Sequence, residues 1–191
     1  MNSPAAPGPV HALDAAVAHA LQELGRLRVA PPRALLLFGT GFSTLPERLT
    51  HARSHELGTL GFPRPWHSRR LWTGTLDDCP VWMIEDLLGD PQREAQEAPH
   101  EAAFPCWVAA RAGARVLLHT SAGLGLQRDG DAGPQPGTLV ALRDHVNLSG
   151  TTPLVGLGGS QLGPLFPDVT RLHHVGLRRA ALARAERRGL R

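Results

Sequence analysis

The segment Ala34-Leu-Leu-Leu-Phe38 runs without interruption into Gly39-Thr40-Gly41. Five consecutive apolar residues stopped by glycine are too few for a buried helix and too uniform for a strand with one wet face. They predict a short strand of the sort found in a sheet covered on both faces. The stretch upstream of it reads as a helix. From Val10 to Leu27, apolar Leu13, Val17, Ala20, Leu21 and Leu24 recur at helical spacing, and the run closes near Gly25 ahead of Pro31-Pro32.

Further along, Leu71–Thr75 and Pro80–Glu85 flank Asp77-Asp78, which predicts a hairpin. Asp86 to Pro99 is polar, with Gly89, Asp90 and Pro91, and is expected as a mobile loop. A helix is expected over Glu101–Ala112, with Pro105 forcing a break or a late start. Arg115–His119 is expected as a second buried strand, followed by Thr120-Ser121-Ala122-Gly123. Thr138–Leu142 is expected as a third, leading into Arg143-Asp144-His145-Val146-Asn147. Asp168 to Arg188 should end in a helix that carries its arginines outward. Strands alternating with helices make this an α/β chain.

At 191 residues the chain has the length of one domain, and with 42% apolar and 19% charged residues it can bury a core. No apolar run approaches the ~18 residues of a membrane span. The first 17 residues, MNSPAAPGPVHALDAAV, lack the basic start and apolar stretch of a secretory signal. Cys79 and Cys106 form neither a disulfide framework nor a C-x-x-C motif. A reduced, cytoplasmic setting is expected. The net charge of +3 and pI near 10.0 point at first to a polyanion partner. Yet Arg178–Arg191 alone holds six arginines against Glu186, leaving the rest of the chain slightly acidic. That tail has no interleaved aromatics for base stacking, so a nucleic-acid face is not expected.

Gly39-Thr40-Gly41 is not a dinucleotide fingerprint, because Thr44 stands where G-x-G-x-x-G needs its third glycine. The chain has no lysine, which excludes a P-loop. A small-residue turn with backbone N–H groups and a hydroxyl remains, suited to an oxyanion or simply to joining a strand to a helix. Thr120-Ser121-Ala122-Gly123 has the same character, and two such turns after neighbouring strands would line one crevice. The polar groups of Arg143–Asn147 read as a buried hydrogen-bonded network ahead of direct catalysis. His100, His173 and His174 lack metal-ligand spacing, so no metal is expected. Trp66, Trp72, Trp82 and Trp107 read as core or interface residues, and no G-x-S-x-G element points to acyl transfer.

The pieces together resemble the trimeric purine nucleoside phosphorylase family. Gly137-Thr-Leu-Val-Ala-Leu-Arg143-Asp-His-Val-Asn147-Leu is similar to that family's G-D-[IL]-[MV]-x-[IL]-x-D-H-I-N-L. Pro153-Leu154-Val-Gly156 and Leu165-Phe166-Pro167-Asp168-Val169 resemble its P-L-x-G and R-F-P-D-M. Leu37-Phe38-Gly39-Thr40-Gly41-Phe42 is similar to its G-S-G-L region, and His119-Thr-Ser-Ala-Gly123 to T-N-A-A-G. The resemblance runs from about residue 10 onward. It implies an α/β, phosphorylase/hydrolase-like three-layer fold with a mixed central sheet, lacking the family's C-terminal portion. Residues 1–9 would be a flexible N-terminus and 10–191 one domain.

By the same resemblance, Thr40, His67 and Ser121 would hold phosphate, and Phe166 would reach a neighbouring subunit's nucleoside. No catalytic residue is assigned. The implied partners are a purine nucleoside and phosphate, with phosphate as co-substrate, no separate cofactor, and a homo-oligomer, by resemblance a trimer. The chain departs from the family at Leu87 and Gly89, where a phosphate-gripping Arg and His would stand. Two functions follow: a phosphorylase giving purine base and ribose 1-phosphate, or a catalytically silent relative that binds a ligand or serves in assembly.

Overall fold

A computed structural model describes residues 9–86, 99–126, 133–155, 157 and 166–190. The chain opens with helix α1, Pro9–Arg26, and strand β1, Ala34–Phe38. Strands β2 (Thr50–Glu56), β3 (Arg70–Leu76) and β4 (Cys79–Glu85) follow. Next come a short helix α2 (Pro99–Ala102), helix α3 (Phe104–Ala112) and strand β5 (Val116–His119). Helix α4, Val175–Arg187, is the last element. The five strands form one mixed sheet in the order β2-β3-β4-β1-β5, with β4, β1 and β5 parallel and β2-β3-β4 antiparallel.

Local chemistry accounts for the boundaries. Asp77 and Asp78 both have positive φ, 47° and 61°, between paired Leu76 and Cys79. That is a two-residue hairpin turn whose twist matches the strands, and aspartate tolerates it. The expected helix over Glu101–Ala112 is split at Ala103, and α3 starts with Pro105 in its first turn, where a missing N–H costs nothing. Gly113, at φ 116°, ends it in the left-handed region.

β1 is the strand its sequence predicts. Leu35 and Leu37 point to one face, where they meet Leu13, Val17, Ala20 and Leu24 of α1 and Phe104 and Val108 of α3. Leu36 and Phe38 point to the other, with Val81, Met83 and Leu49. Burying each such side chain stabilises the fold by about 1.5–3 kcal/mol. Trp66 and Trp82 are buried in the first cluster, and each indole N–H finds a backbone carbonyl, of Glu101 at 2.8 Å and of Ala30 at 3.0 Å. Trp72 and Trp107 pack against the two clusters.

The described residues divide into two units. One comprises those up to Ala122 with 151–155 and 157, and contains the whole sheet; the other comprises those of 123–150 and 166–190. Three expectations need correction. β5 is a strand but not a buried one, with Leu117 51% exposed, because among the described residues it is the sheet's edge, paired with β1 alone. Thr138–Leu142 forms no strand, and its apolar residues are exposed: among the described residues no strand pairs with it, and an unpaired strand leaves its backbone groups unsatisfied. Arg143–Asn147 is likewise exposed, with local hydrogen bonds such as His145 N–H to Asp144 Oδ1, and not a buried network. The sequence reading also missed β2, whose residues THARSHE are almost all exposed and show no alternation.

Candidate functional site

The parallel strands β4, β1 and β5 end side by side, with Phe38 opposite Glu85 and Leu37 opposite His119. The residues that follow them therefore emerge together: Gly39-Thr40-Gly41, Asp86 and Thr120-Ser121. Hydrogen bonds fix these exits. Asp86 N–H donates to the Phe38 carbonyl at 2.9 Å, and Thr120 N–H to the Leu37 carbonyl at 2.9 Å. Gly39 N–H in turn donates to Thr120 Oγ1 at 2.9 Å, which joins the β1 turn to the β5 turn. A Cβ on residue 39 would sit 3.0 Å from the Thr120 carbonyl oxygen, so glycine is what allows this approach. Phe42 N–H closes the β1 turn onto the Gly39 carbonyl, with Gly41 at φ 89° in the position a type II turn reserves for glycine. Thr40 is thereby held at the exposed tip.

His67 reaches the same edge by another route. β3 runs antiparallel to β4, with Leu71 opposite Ile84, so the segment leading into β3 lies at the carboxyl end of β4. Arg69 confirms the placement through its ion pair with Glu85 at 3.1 Å. His67 follows the 3-10 turn Arg64–Trp66, and its Nε2 donates to the Phe62 carbonyl at 2.8 Å, leaving Nδ1 as the nitrogen available to a ligand. Ser121 is exposed just beyond β5, its hydroxyl 3.3 Å from the Ala122 carbonyl. Thr40, His67 and Ser121 thus share one edge of one sheet. Phe166 belongs to the second unit and is 88% exposed. Leu87 and Gly89 lie outside the described residues.

The sequence reading missed a pair at this edge. Asp86 Oδ2 and His119 Nε2, the one just past β4 and the other the last residue of β5, are 2.6 Å apart. The hydrogen bond to Asp86 raises the His119 pKa above 6.5; partial burial opposes it, and the carboxylate's charge adds to it. The two residues are 33 positions apart, and only the strand register joins them. At Cys106, by contrast, burial, with the Asp86 charge added, pushes the thiol up to about 11, away from the reactive thiolate. Cys79 and Cys106 are both free.

Chemically, the edge offers two hydroxyls, turn N–H groups and a histidine nitrogen to an oxyanion, beside an acid–imidazole pair able to carry a proton. A separate groove of about 310 Å³ lies away from this edge, lined by Arg28, His51, Arg53, His55 and Thr73 among others. Among the described residues no helix is long and apolar enough to cross a membrane.

The sequence model of the phosphorylase superfamily matches residues 33–191. A purine nucleoside phosphorylase 1 of Geobacillus stearothermophilus is 27% identical over 180 residues, which is 92% of this chain and 63% of that protein. One of Bacillus subtilis is 28% identical over 143 residues, 73% of this chain and 50% of that protein. Among solved structures, a schistosoma purine nucleoside phosphorylase in complex with hypoxanthine matches with a TM-score of 0.78 at 24% identity, over 91% of this chain and 61% of that one. Isoform 2 from Schistosoma mansoni, in complex with cytosine and ribose-1-phosphate, gives 0.80 at 23%, over 92% and 62%. The structural likeness is one of fold, and this chain spans 50% to 63% of the curated relatives' length.

Proposed function

This chain belongs to the phosphorylase superfamily, and from that membership we propose that it is purine nucleoside phosphorylase-like, taking a purine nucleoside and phosphate to the purine base and ribose 1-phosphate. In this reaction the bond from the sugar's anomeric carbon to the base nitrogen breaks and a bond to a phosphate oxygen forms. The base leaves with the bonding electrons and gains a proton. Little of this asks for covalent chemistry by the protein. Positioning of the phosphate and preorganised donors supply most of the rate.

The observation that carries the reading is the joined pair of turns, with Gly39 N–H bonded to Thr120 Oγ1 at 2.9 Å. It sets Thr40 and Ser121 at the carboxyl end of the parallel strands, the edge where open α/β sheets bind ligands. His67 adds Nδ1. Asp86 would repel a phosphate dianion, and the raised pKa of His119 offsets this by favouring an imidazolium beside the carboxylate. Phosphate binding should therefore weaken as pH rises through the His119 pKa. Phe166, exposed in the second unit, suits contact with a neighbouring subunit in a cytoplasmic homo-oligomer, a trimer by family resemblance. Sedimentation giving only monomer would remove that part.

Release of purine base from inosine and guanosine, measured with and without phosphate on the full chain, tests the proposal. Phosphate-dependent release that Thr40→Ala, His67→Ala abolishes supports it; losing one such donor costs ~10²–10³ in rate. No release above the double variant's background contradicts it.

A further inference from the structure

The second unit holds a cluster of side chains apart from the sheet edge described above. Asp144, His145 and His173 each place one potential ligand atom so that all lie within 4.8 Å of one another. His145 Nδ1 is 3.0 Å from His173 Nε2, with the rings at 70° to each other. The histidines are 28 residues apart, so spacing along the chain could not have shown their meeting. Two features hold them there. His145 N–H donates to Asp144 Oδ1, which turns the carboxylate back beside the ring. The neighbouring His174 caps α4, its Nδ1 accepting from Leu177 N–H at 3.1 Å, and so fixes the backbone that carries His173.

We propose that Asp144, His145 and His173 form a binding site for a divalent transition ion of the zinc type. Two imidazole nitrogens each ~2.1 Å from one ion stand roughly 3.0 Å apart at a right angle and about 3.4 Å apart at the tetrahedral angle. The observed 3.0 Å is the right-angle value, so a separation of the two nitrogens by about 0.4 Å reaches the tetrahedral edge, and inward closure of the carboxylate completes a three-ligand set. Two imidazoles with one carboxylate suit zinc, cobalt or nickel far better than calcium or magnesium, which take oxygen. Three protein ligands leave a position for water on this exposed site. The ion would clip residues 144–145 to residue 173, stabilising a unit that buries none of its described side chains. This inference rests on residues other than those at the sheet edge, so it stands or falls separately from the proposed phosphate site.

The test is titration of metal-free full chain with Co²⁺ and Zn²⁺, followed by the cobalt absorption band and by calorimetry. Expected is one equivalent bound, weakened by at least ~10-fold in His145→Ala and in His173→Ala, and unchanged in His51→Ala. Histidine ¹⁵N spectra of the unmutated chain give a reading free of any folding defect: cobalt should broaden the ring signals of His145 and His173 first. Absence of stoichiometric binding would overturn the proposal. So would binding that survives both variants, or broadening spread evenly over the histidines, since a lone N–H···N hydrogen bond would then explain the 3.0 Å contact.

Discussion

The two units treat the same kinds of residue in opposite ways. In the first, many leucines and two of the tryptophans, Trp66 and Trp82, are buried with the sheet and its helices, and Leu57, Leu60 and Leu71 are fully buried. In the second, Leu139, Val140, Leu142 and Leu148 are as apolar but stand exposed, and α4 buries none of its residues. The difference lies in pairing together with cover on both faces. β1 has a parallel strand on each side, and each of its faces meets an apolar cluster. Thr138–Leu142 has the apolar composition of a strand, and no strand among the described residues pairs with it. A hydrophobic run becomes a strand only where a neighbour completes its hydrogen bonds.

The sharpest way to break this comparison is to make one substitution in both places. Leu57→Ala, from a site with no exposed surface, should cost about 2–5 kcal/mol in urea unfolding. Leu148→Ala, from a side chain 89% exposed, should stay within about 0.5 kcal/mol. Equal costs would show that the second unit has a core of its own. A smaller effect is expected at the joined turns. Gly39→Ala brings a methyl to 3.0 Å from the Thr120 carbonyl and should cost about 1–3 kcal/mol, with a loss of base release if the turns form the site. Thr120→Val removes only the acceptor for Gly39 N–H and should cost about 1 kcal/mol.

The smallest effect is one of pH. The His119 pKa is raised on folding, so its pairing with Asp86 contributes stability that is full below 6.5 and lost as pH rises through the raised value. With its side chain 46% exposed, solvent screening keeps the contribution small. His55 works in the opposite sense. Burial, with Arg53 and Arg70 adding to it, lowers its pKa, so stability falls as pH drops below 6.5. The difference between the unmutated chain and Asp86→Asn, measured from pH 5.5 to 8.5, isolates His119. It should shrink toward the alkaline end.

The elements with a strong local cause were legible in the sequence. The uniform apolar run of β1, the helical spacing of α1, the hairpin at Asp77-Asp78 and the break before Pro105 each have one. Elements defined by their neighbours were not. β2 is polar on both faces and is a strand only because β3 pairs with it. The exposure of β5 follows from its place at the edge. At the site, Thr40 and Ser121 follow strands that could be read directly, and their adjacency was anticipated. The Asp86–His119 and His145–His173 contacts arise from tertiary register alone, which no spacing rule contains.

All four tryptophans, at 66, 72, 82 and 107, belong to the first unit, so indole fluorescence reports the unit that carries the joined turns. The most direct measurement is urea unfolding followed by that signal, with and without inorganic phosphate, on the unmutated chain and on Thr40→Ala, Ser121→Ala. A bound ligand at 100 times its Kd stabilises by about 2.7 kcal/mol. Phosphate also strengthens burial non-specifically, which the double variant corrects for. A phosphate-dependent rise in midpoint that the double variant lacks is the predicted result. A midpoint that does not move, or moves equally in both, would contradict the assignment of this sheet edge as a phosphate site.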